Sequence, residues 1–230
     1  MRKIGLIGGM SWTSTVRYYQ IINEAISRRK GGLHCAPLLI ESLDFAEVAK
    51  AQTDEEWART ADILIGAAHR LETAGATALI ICANSMHRVY DEVAQAVSVP
   101  ILHIADAVGE KMKADGVKSA ALIGTHNVMM ERFYRQRLVS HGISLMPPDM
   151  QWAQEIDRII YEELAVGKAT RASERTMKTI FTNIYQAHVP AVVLACTELE
   201  MIVDVRANVL PIYDGTSLHA QAAVAHILEE

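Results

Sequence analysis

LIICAN at residues 79–84 and VVLACT at residues 192–197 are two short apolar runs that each end in small or polar residues. Such runs are typical of buried parallel strands, because those strands are apolar on both faces. LIGG at residues 6–9 and LIGT at residues 122–125 form a second matched pair. Gly8 and Ala83 are 75 residues apart, and Gly124 and Cys196 are 72 residues apart. Matched landmarks at nearly equal spacing indicate a duplicated α/β unit.

Strand and helix patterns alternate between these landmarks. Strands are predicted at residues 3–7, 37–43, 76–82, 100–104, 120–123, 191–195 and 209–212. Helices are predicted at residues 15–29, from the capping box Thr53–Glu56 to Gly75, from Ser85 onward, and at residues 154–166, 172–188 and 217–228. The helix at residues 15–29 has apolar residues at helical spacing, namely Val16, Tyr19, Ile22, Ala25 and Ile26.

Repeated strand–helix units predict an α/β fold with two similar domains. Each domain is expected to be a parallel sheet flanked by helices, and a pseudo-twofold axis is expected to relate the two. The first domain is predicted to comprise residues 1–102 and 211–230, and the second residues 103–210. Because ligands of open parallel sheets bind beyond the carboxyl ends of the strands, we expect the site between the domains. The loops after Gly8, Ala83, Gly124 and Cys196 would converge there.

Composition excludes several classes of function. Half of the 230 residues are hydrophobic and the net charge is −5, with no basic stretch longer than residues 28–30, so no nucleic-acid partner is predicted. The apolar runs are too short to span a membrane, and early glycines leave no signal-peptide core. We therefore expect a cytoplasmic protein without membrane contact. The three cysteines, Cys35, Cys82 and Cys196, lack metal-ligand spacing and are predicted to be free thiols.

Polar residues at the predicted strand ends are the candidates for chemistry. Cys196 would lie near a helix N-terminus, which favours the thiolate, although cysteine is also a common small core residue. Asn84 and Ser85 can cap the next helix, whose free N–H groups could bind a carboxylate. His87 is predicted to be a capping or supporting residue, and Ser11 and Thr125 add hydroxyls at two other strand ends. Residues 5–9 match neither a dinucleotide loop nor a P-loop, so no nucleotide cofactor is predicted.

Three motifs resemble those of the aspartate/glutamate racemase family. IGGMS at residues 7–11 is similar to the opening motif of that family, and ANSMH at residues 83–87 is similar to its Cys-Asn-Thr-x-His. ACTE at residues 195–198 resembles its Gly-Cys-Thr-Glu. The matches span nearly the whole chain in the expected order. Hydantoin racemases, maleate isomerases and arylmalonate decarboxylases share this architecture, so the motifs indicate the superfamily more strongly than the substrate.

The resemblance implies a cofactor-independent racemase of an amino acid. Two thiols on opposite faces of Cα would remove and return its proton, without pyridoxal phosphate or a metal. Cys196 would be one acid/base, and the other position is Ala83, which has neither thiol nor hydroxyl. The expected substrate contacts are Met10, Ser11, Gln52, Asn84, Ser85, Thr125, Thr197 and Glu198. The resemblance also implies a homodimer that binds a small amino acid or dicarboxylate.

The sequence departs from the family at positions that matter for activity and specificity. Cys82 adjoins Ala83, but neighbours on a strand point to opposite sides, so Cys82 is predicted to be a core residue. Relatives strict for aspartate have a basic residue where this chain offers Gln52, and a lysine where Ala165 stands, with Lys168 one turn further on. Two other functions therefore remain open. One is a single-thiol decarboxylase, and the other is a non-catalytic relative that binds acidic ligands.

Overall fold

The computed structural model describes residues 1–49, 51–206 and 208–229. The chain divides into two compact units, one formed by Met1–Ile104 with His219–Glu230 and the other by Ala105–Leu218. Each unit holds a four-stranded sheet in which every strand pair is parallel, which confirms the predicted α/β fold. The predicted domains also include Lys50, Ala207 and Glu230, and these three residues lie outside the described ranges.

The first unit is built on a sheet with the strand order β2-β1-β3-β4. The strands are β1 (Ile4–Gly8), β2 (Leu38–Ser42), β3 (Ala78–Ile81) and β4 (Ile101–Leu102). The helices are α1 (Trp12–Lys30), α2 (Asp54–Thr73) and α3 (Tyr90–Ala96), and α4 (Ile104–Ala114) begins at the end of this unit. Short 3-10 turns cover Phe45–Glu47 and Ser85–Val89.

Strands β1 and β3 are buried along their whole length, because both faces of the first sheet are covered. On one face, side chains of α2 such as Leu64 pack with Leu79 and Ile81. On the other face, Ile80 packs with Ile22 of α1 and with the C-terminal helix. The predicted capping box starts α2, since the Thr53 side chain and the Glu56 carboxylate each accept a backbone N–H of the other residue.

The second unit repeats this plan with the strand order β6-β5-β7-β8. Its strands are β5 (Ser119–Gly124), β6 (Ser144–Leu145), β7 (Val192–Ala195) and β8 (Ile212–Asp214). Its helices are α5 (His126–Met130), α6 (Arg132–Ser140), α7 (Met150–Arg158) and α8 (Arg171–Gln186), and α9 (Gly215–Leu228) begins here and ends in the first unit. A π-helical turn at Ile159–Glu163 and 3-10 turns at Leu164–Val166 and Thr197–Met201 complete it.

The last strand corrects the predicted domain boundary. The strand lies at Ile212–Asp214 and not at residues 209–212, and it pairs with β7 in the second sheet. The N–H of Val192 donates to the carbonyl of Pro211 at 2.9 Å, which ties this segment to β7. Residues 211–218 therefore belong to the second unit, whereas the sequence assigned residues 211–230 to the first. The switch between units falls inside α9.

Helix boundaries and faces differ from the prediction at four further places. The helix predicted at residues 154–166 starts earlier, at Met150, because Asp149 caps it, and from Ile159 onward it is π-helical and then 3-10. The helix after β3 opens as a 3-10 turn, and Ile104 begins α4 and does not end a strand. In α1, Ile22 and Ile26 are buried as expected, but Val16 and Tyr19 are exposed. No helix in the described part of the chain is long and apolar enough to cross a membrane.

Candidate active site

Ala83 and Cys196 occupy equivalent positions in the two sheets. In the first sheet Ile7 is paired with Ile81, and in the second Ile123 is paired with Leu194. Ile7 and Ile123 each precede the glycine that ends a strand, so the two registers match. Ala83 follows Ile81 by two residues, and Cys196 follows Leu194 by two. The prediction that Ala83 stands where the second unit has its thiol is therefore supported by strand register.

Cys196 lies at the carboxyl end of β7 and is only 6% exposed. Its Sγ is 3.2 Å from Oε2 of Glu198 and donates to that carboxylate. Burial raises the pKa of the Cys196 thiol well above its ordinary value, and the charge and hydrogen bond of Glu198 raise it further. Backbone N–H groups of Glu198 and Leu199 act in the opposite direction, because they stabilise the thiolate. The resting thiol is therefore protonated and has a proton acceptor in direct contact.

Thr197 is held by a partner in the first turn of α9, just after the neighbouring strand β8. Its Oγ1 lies 3.1 Å from Oγ1 of Thr216, which follows β8. Thr216 is fixed in turn, because its backbone N–H donates to the Asp214 carboxylate at 3.0 Å. The second unit thus brings Cys196, Thr197 and Glu198 together at the end of β7. Of these three, Thr197 is bonded to Thr216, which is in turn bonded to Asp214 of β8.

Thr125 follows β5, the neighbour of β7, at the same edge of the second sheet. Its Oγ1 is buried and has no hydrogen-bond partner among the described residues. The next N–H, that of His126, donates to Oδ1 of Asp157 at 2.8 Å. A Cβ at Gly124 would lie 2.7 Å from the carbonyl oxygen of Ala195, so only glycine allows β5 and β7 to approach this closely beside Cys196.

Tyr161 is a residue of this region that the sequence analysis did not identify. It lies in the π-helical turn, one helical turn beyond Asp157. Tyr161 is 42% exposed, yet partial desolvation raises the pKa of its hydroxyl to about 12, and the charges of Asp157, Cys196 and Glu198 contribute. The phenol is therefore neutral and a hydrogen-bond donor near the thiol. The spacing of four between Asp157 and Tyr161 was the available signal, because residues i and i+4 share a helix face.

In the first unit, the loop after β1 carries Met10 and Ser11. Gly9 has a φ of +84°, and its N–H donates to Oγ1 of Thr15 at 2.8 Å. Ser11 stands at the N-cap of α1, with its Oγ 2.6 Å from Oγ1 of Thr13. Met10 is 3% exposed and packs in the core between the first sheet and α2. Substrate contact by Met10 stays a prediction.

Asn84 and Ser85 follow Ala83 at the end of β3. Asn84 is buried, and its Oδ1 has no hydrogen-bond partner among the described residues. It occupies the N-cap position of the 3-10 turn without a side-chain capping bond, so the alternative of a plain helix cap is wrong for Asn84. Ser85 is half-buried and begins the turn.

The N-cap residues at the strand ends differ from four other N-caps of the chain. Asp44, Thr53, Asp149 and Thr170 each accept a backbone N–H with the side chain, as N-caps normally do. Ser11, Asn84, Thr125 and Cys196 hold N-cap positions and make no such bond. These four side chains are therefore not used for capping, although Ser11 and Cys196 have the local partners Thr13 and Glu198.

Two titratable side chains, Cys82 and His87, lie within four residues of Ala83 along the chain. Cys82 is fully buried in the core that packs the sheet on α1 and α9, as predicted, and burial raises the pKa of its thiol. Ala83 belongs instead to the core on the opposite face. Both ring nitrogens of His87 have backbone partners, Ala83 and Ile104, which agrees with the prediction of a supporting residue.

The residues expected to define the substrate side chain are exposed and uncharged. Gln52 lies in the connection between β2 and α2, on the carboxyl side of the first sheet, and its backbone N–H donates to the Glu56 carboxylate at 2.8 Å. Ala165 lies in the 3-10 turn that follows Tyr161, and Lys168 is exposed beyond it. Neither Gln52 nor Ala165 provides a cation for a second carboxylate.

A family model described as Asp/Glu/Hydantoin racemase matches residues 7–223, and the chain belongs to this family. Among its relatives is the broad specificity amino-acid racemase RacX of Bacillus subtilis (strain 168), which is 24% identical over 228 residues and 98% of each chain. A solved Yersinia pestis protein assigned as an Asp/Glu racemase has 38% identity and a TM-score of 0.92, over 99% of this chain and 100% of that one. An aspartate racemase homologue from Pyrococcus horikoshii OT3 has 34% identity and a TM-score of 0.83, with both chains fully covered.

Proposed function

We propose that this chain is a cofactor-independent amino-acid racemase that keeps one of two thiol acid/bases. The observation that carries the proposal is the pair of equivalent strand ends, where Cys196 contacts Glu198 in the second unit and Ala83 stands in the first. The substrates would be aspartate, glutamate or related amino acids. The chemistry needs only side chains and water, so no cofactor or metal is proposed. Assembly as a homodimer and a cytoplasmic location stay predictions.

Cys196 and Glu198 would form a proton-transfer pair. When the Cys196 thiol gives its proton to the Glu198 carboxylate, the resulting thiolate can remove the Cα proton of a bound amino acid and leave a carbanion. In the reverse direction the protonated thiol delivers a proton to the carbanion on the same face, and the sulfur regains a proton from Glu198. General acid–base help of this kind is typically worth about 10²–10⁴-fold in rate.

We propose that no residue in the described part of the chain provides a comparable group for the opposite face of Cα. Ala83 cannot exchange a proton, Cys82 faces the core, and His87 has both nitrogens engaged. Water would have to serve there, and an unpositioned water is a poor acid or base. We therefore propose that inversion is slow, while exchange of the Cα proton with retention on the Cys196 face is faster.

Substrate binding is proposed to use the polar groups that are free of local capping. Asn84 Oδ1 and Thr125 Oγ1 are both buried without partners among the described residues. A substrate ammonium could donate to Asn84 Oδ1, and the Thr125 hydroxyl could donate to a substrate carboxylate. Ser11, Ser85, Thr197 and the backbone of Met10 are the other proposed contacts. Because Gln52 and Ala165 offer no cation for a side-chain carboxylate, we propose a preference broader than aspartate. The name of RacX, a broad specificity racemase, agrees with this proposal.

The test of this function is hydrogen exchange at Cα. Aspartate, glutamate and neutral amino acids are incubated with the protein in deuterium oxide, and mass spectrometry and chiral chromatography follow deuterium uptake and inversion. Cys196→Ser is expected to abolish exchange, whereas Cys35→Ser, at an exposed free cysteine, leaves it unchanged. Unchanged exchange in Cys196→Ser would refute the proposal. Decarboxylation of arylmalonates without amino-acid exchange would favour a single-thiol decarboxylase, and binding without turnover an inactive relative.

A further inference from the structure

His87 is 1% exposed, and the positions of its backbone partners determine its tautomer. Its Nδ1 lies 2.9 Å from the carbonyl oxygen of Ala83, and its Nε2 lies 3.3 Å from the backbone nitrogen of Ile104. An amide nitrogen can only donate, so Nε2 is the acceptor and carries no proton. In a neutral imidazole the proton is then on Nδ1, which donates to the Ala83 carbonyl.

This contact also fixes the next backbone N–H. Met10–Ser11 is the one cis peptide bond in the described residues, so the bond between Ala83 and Asn84 is trans. In a trans planar peptide the C=O and N–H groups point in opposite directions. When the Ala83 carbonyl is held toward His87, the Asn84 N–H is therefore directed away from His87. The same residue carries the buried, unpartnered Oδ1.

The surrounding rings hold the imidazole in this orientation. Tyr90 is stacked nearly parallel to His87, with ring centroids 6.3 Å apart and an interplanar angle of 10°. The ring of His103 lies 4.5 Å away and that of His219 5.6 Å away, both edge-on. His87 is therefore held by packing on its faces and edges and by a hydrogen bond at each nitrogen.

We propose that His87 is a positioning residue that aims the Asn84 N–H as a hydrogen-bond donor to the substrate carboxylate. The inference rests on the proposed function. When Cα loses its proton, negative charge develops on the substrate carboxylate. A hydrogen-bond donor that is already oriented toward the carboxylate stabilises this charge best. His87 itself does not contact the substrate in this account. It acts through the Ala83 carbonyl, and Ile104 fixes the ring from the other side.

Two conservative variants separate the two contacts of His87. In His87→Asn the side-chain amide can replace the Nδ1 donor to Ala83, but it does not reach Ile104. In His87→Gln the amide oxygen can replace the Nε2 acceptor for Ile104, but the contact with Ala83 is lost. Both are made in the Ala83→Cys background, where racemisation of glutamate is measurable. Removal of one oxyanion donor typically costs about 10²–10³ in kcat, so His87→Gln is expected to lower kcat by at least about tenfold. His87→Asn should retain most of kcat.

Tyr90→Phe is the matched control, because it removes a hydrogen bond to the Ile101 carbonyl beside the same ring without touching Ala83. It is expected to lower the melting temperature but to leave kcat unchanged. Equal losses of kcat in His87→Asn and His87→Gln would overturn the proposal, since packing alone would then explain the role of His87.

A measurement without substrate keeps this inference separate from the proposed function. Nitrogen-15 NMR of the chain as given should show His87 protonated on Nδ1 only. The Asn84 amide resonance should shift in His87→Gln and move little in His87→Asn. A proton on Nε2, or an Asn84 amide that responds equally to both variants, would refute the positioning role. If Ala83→Cys shows no racemisation of any amino acid, the proposed function fails while these two NMR results still decide the role of His87.

Discussion

The thiol of Cys196 lies 3.2 Å from a carboxylate oxygen of Glu198, two residues further along the chain. The contact is made at the carboxyl end of β7, where backbone N–H groups of the following turn also face the sulfur. The carboxylate makes ionisation of the thiol less favourable, yet it is also the group that can accept the proton. Glu198 was predicted from the sequence as a substrate contact, and the geometry favours proton transfer.

Glu198→Gln should separate these two effects. Loss of the negative charge lowers the pKa of the Cys196 thiol, because the carboxylate raises it in the native chain. The thiolate absorbance should therefore appear at lower pH in a Cys35→Ser background. Exchange of the Cα proton should nevertheless fall about 10²-fold or more, since the proton acceptor is gone. Glu162→Gln, at an exposed acid of the same unit, is the control. A thiol titration that Glu198→Gln leaves unchanged would contradict this assignment.

Gly9 is predicted to be essential for folding of the first unit. An added Cβ would lie 2.1 Å from the carbonyl oxygen of Leu43 and 2.4 Å from its nitrogen, at a φ of +84°. Gly31 also has a positive φ, +75°, but an added Cβ meets nothing within 4 Å. Gly31→Ala should therefore lower the free energy of unfolding by about 1 kcal/mol, whereas Gly9→Ala should lower it by several times as much. Urea denaturation measures both, and equal effects would show that the backbone at Leu43 can move aside.

His219 is predicted to make stability depend on pH. Burial lowers its pKa from 6.5 to about 4, although its Nε2 donates to the Leu102 carbonyl at 2.9 Å. Between these values the unfolded chain binds more protons than the native chain. The contribution of the neutral His219 to the free energy of unfolding is therefore complete above pH 6.5. It decreases by about 3 kcal/mol as the pH falls toward 4.

His219→Gln keeps a donor for Leu102 but cannot take up a proton. The dependence of the free energy of unfolding on pH should therefore be shallower in this variant between pH 4 and 6.5. The same slope in His219→Gln and the native chain would assign the pH dependence to other groups.

The fold was predictable because its signals are local and repeated. The apolar runs that end at Gly8 and Gly124, and the capping box at Thr53, determine strands and helix starts within a few residues. The strand at Ile212–Asp214 was misplaced because a short apolar run does not show which of two similar sheets it joins. Pairing with β7 decides this, and pairing is a non-local property.

The candidate site was predictable to the level of motifs but not of contacts. Cys196, Asn84 and Thr125 followed from strand ends, since parallel strands present their loops at one edge. The buried oxygens of Asn84 and Thr125 and the tautomer of His87 depend on packing that no spacing rule gives. Tyr161 was missed because its nearness to Cys196 depends on how the π-helical turn packs in the second unit, which spacing along the sequence does not show.

The exposed side chains of α1 show a different limit. Val16 and Tyr19 fit the apolar period of the helix, yet Ser14, Thr15 and Tyr18 are the buried residues of that turn. Thr15 is drawn inward by its hydrogen bond to the Gly9 N–H, and Tyr18 by its hydroxyl, which lies 2.9 Å from Nδ1 of His219. In this turn of α1, hydrogen bonds of polar side chains therefore decide which residues are buried, and the apolar period does not.

Cys196 has no thiol counterpart at residue 83, and Ala83→Cys tests the effect of this difference most directly. The measurement is chiral chromatography with deuterium analysis of D- and L-glutamate and aspartate, for the chain as given, for Ala83→Cys and for Ala83→Ser. Ala83→Cys should raise the rate of racemisation about 10²–10⁴-fold, whereas Ala83→Ser, whose hydroxyl is too weak an acid, should not. The chain as given should exchange one enantiomer with retention of configuration. If it instead inverts both enantiomers at a rate that Ala83→Cys does not increase, a second acid/base other than residue 83 is present and the account is wrong.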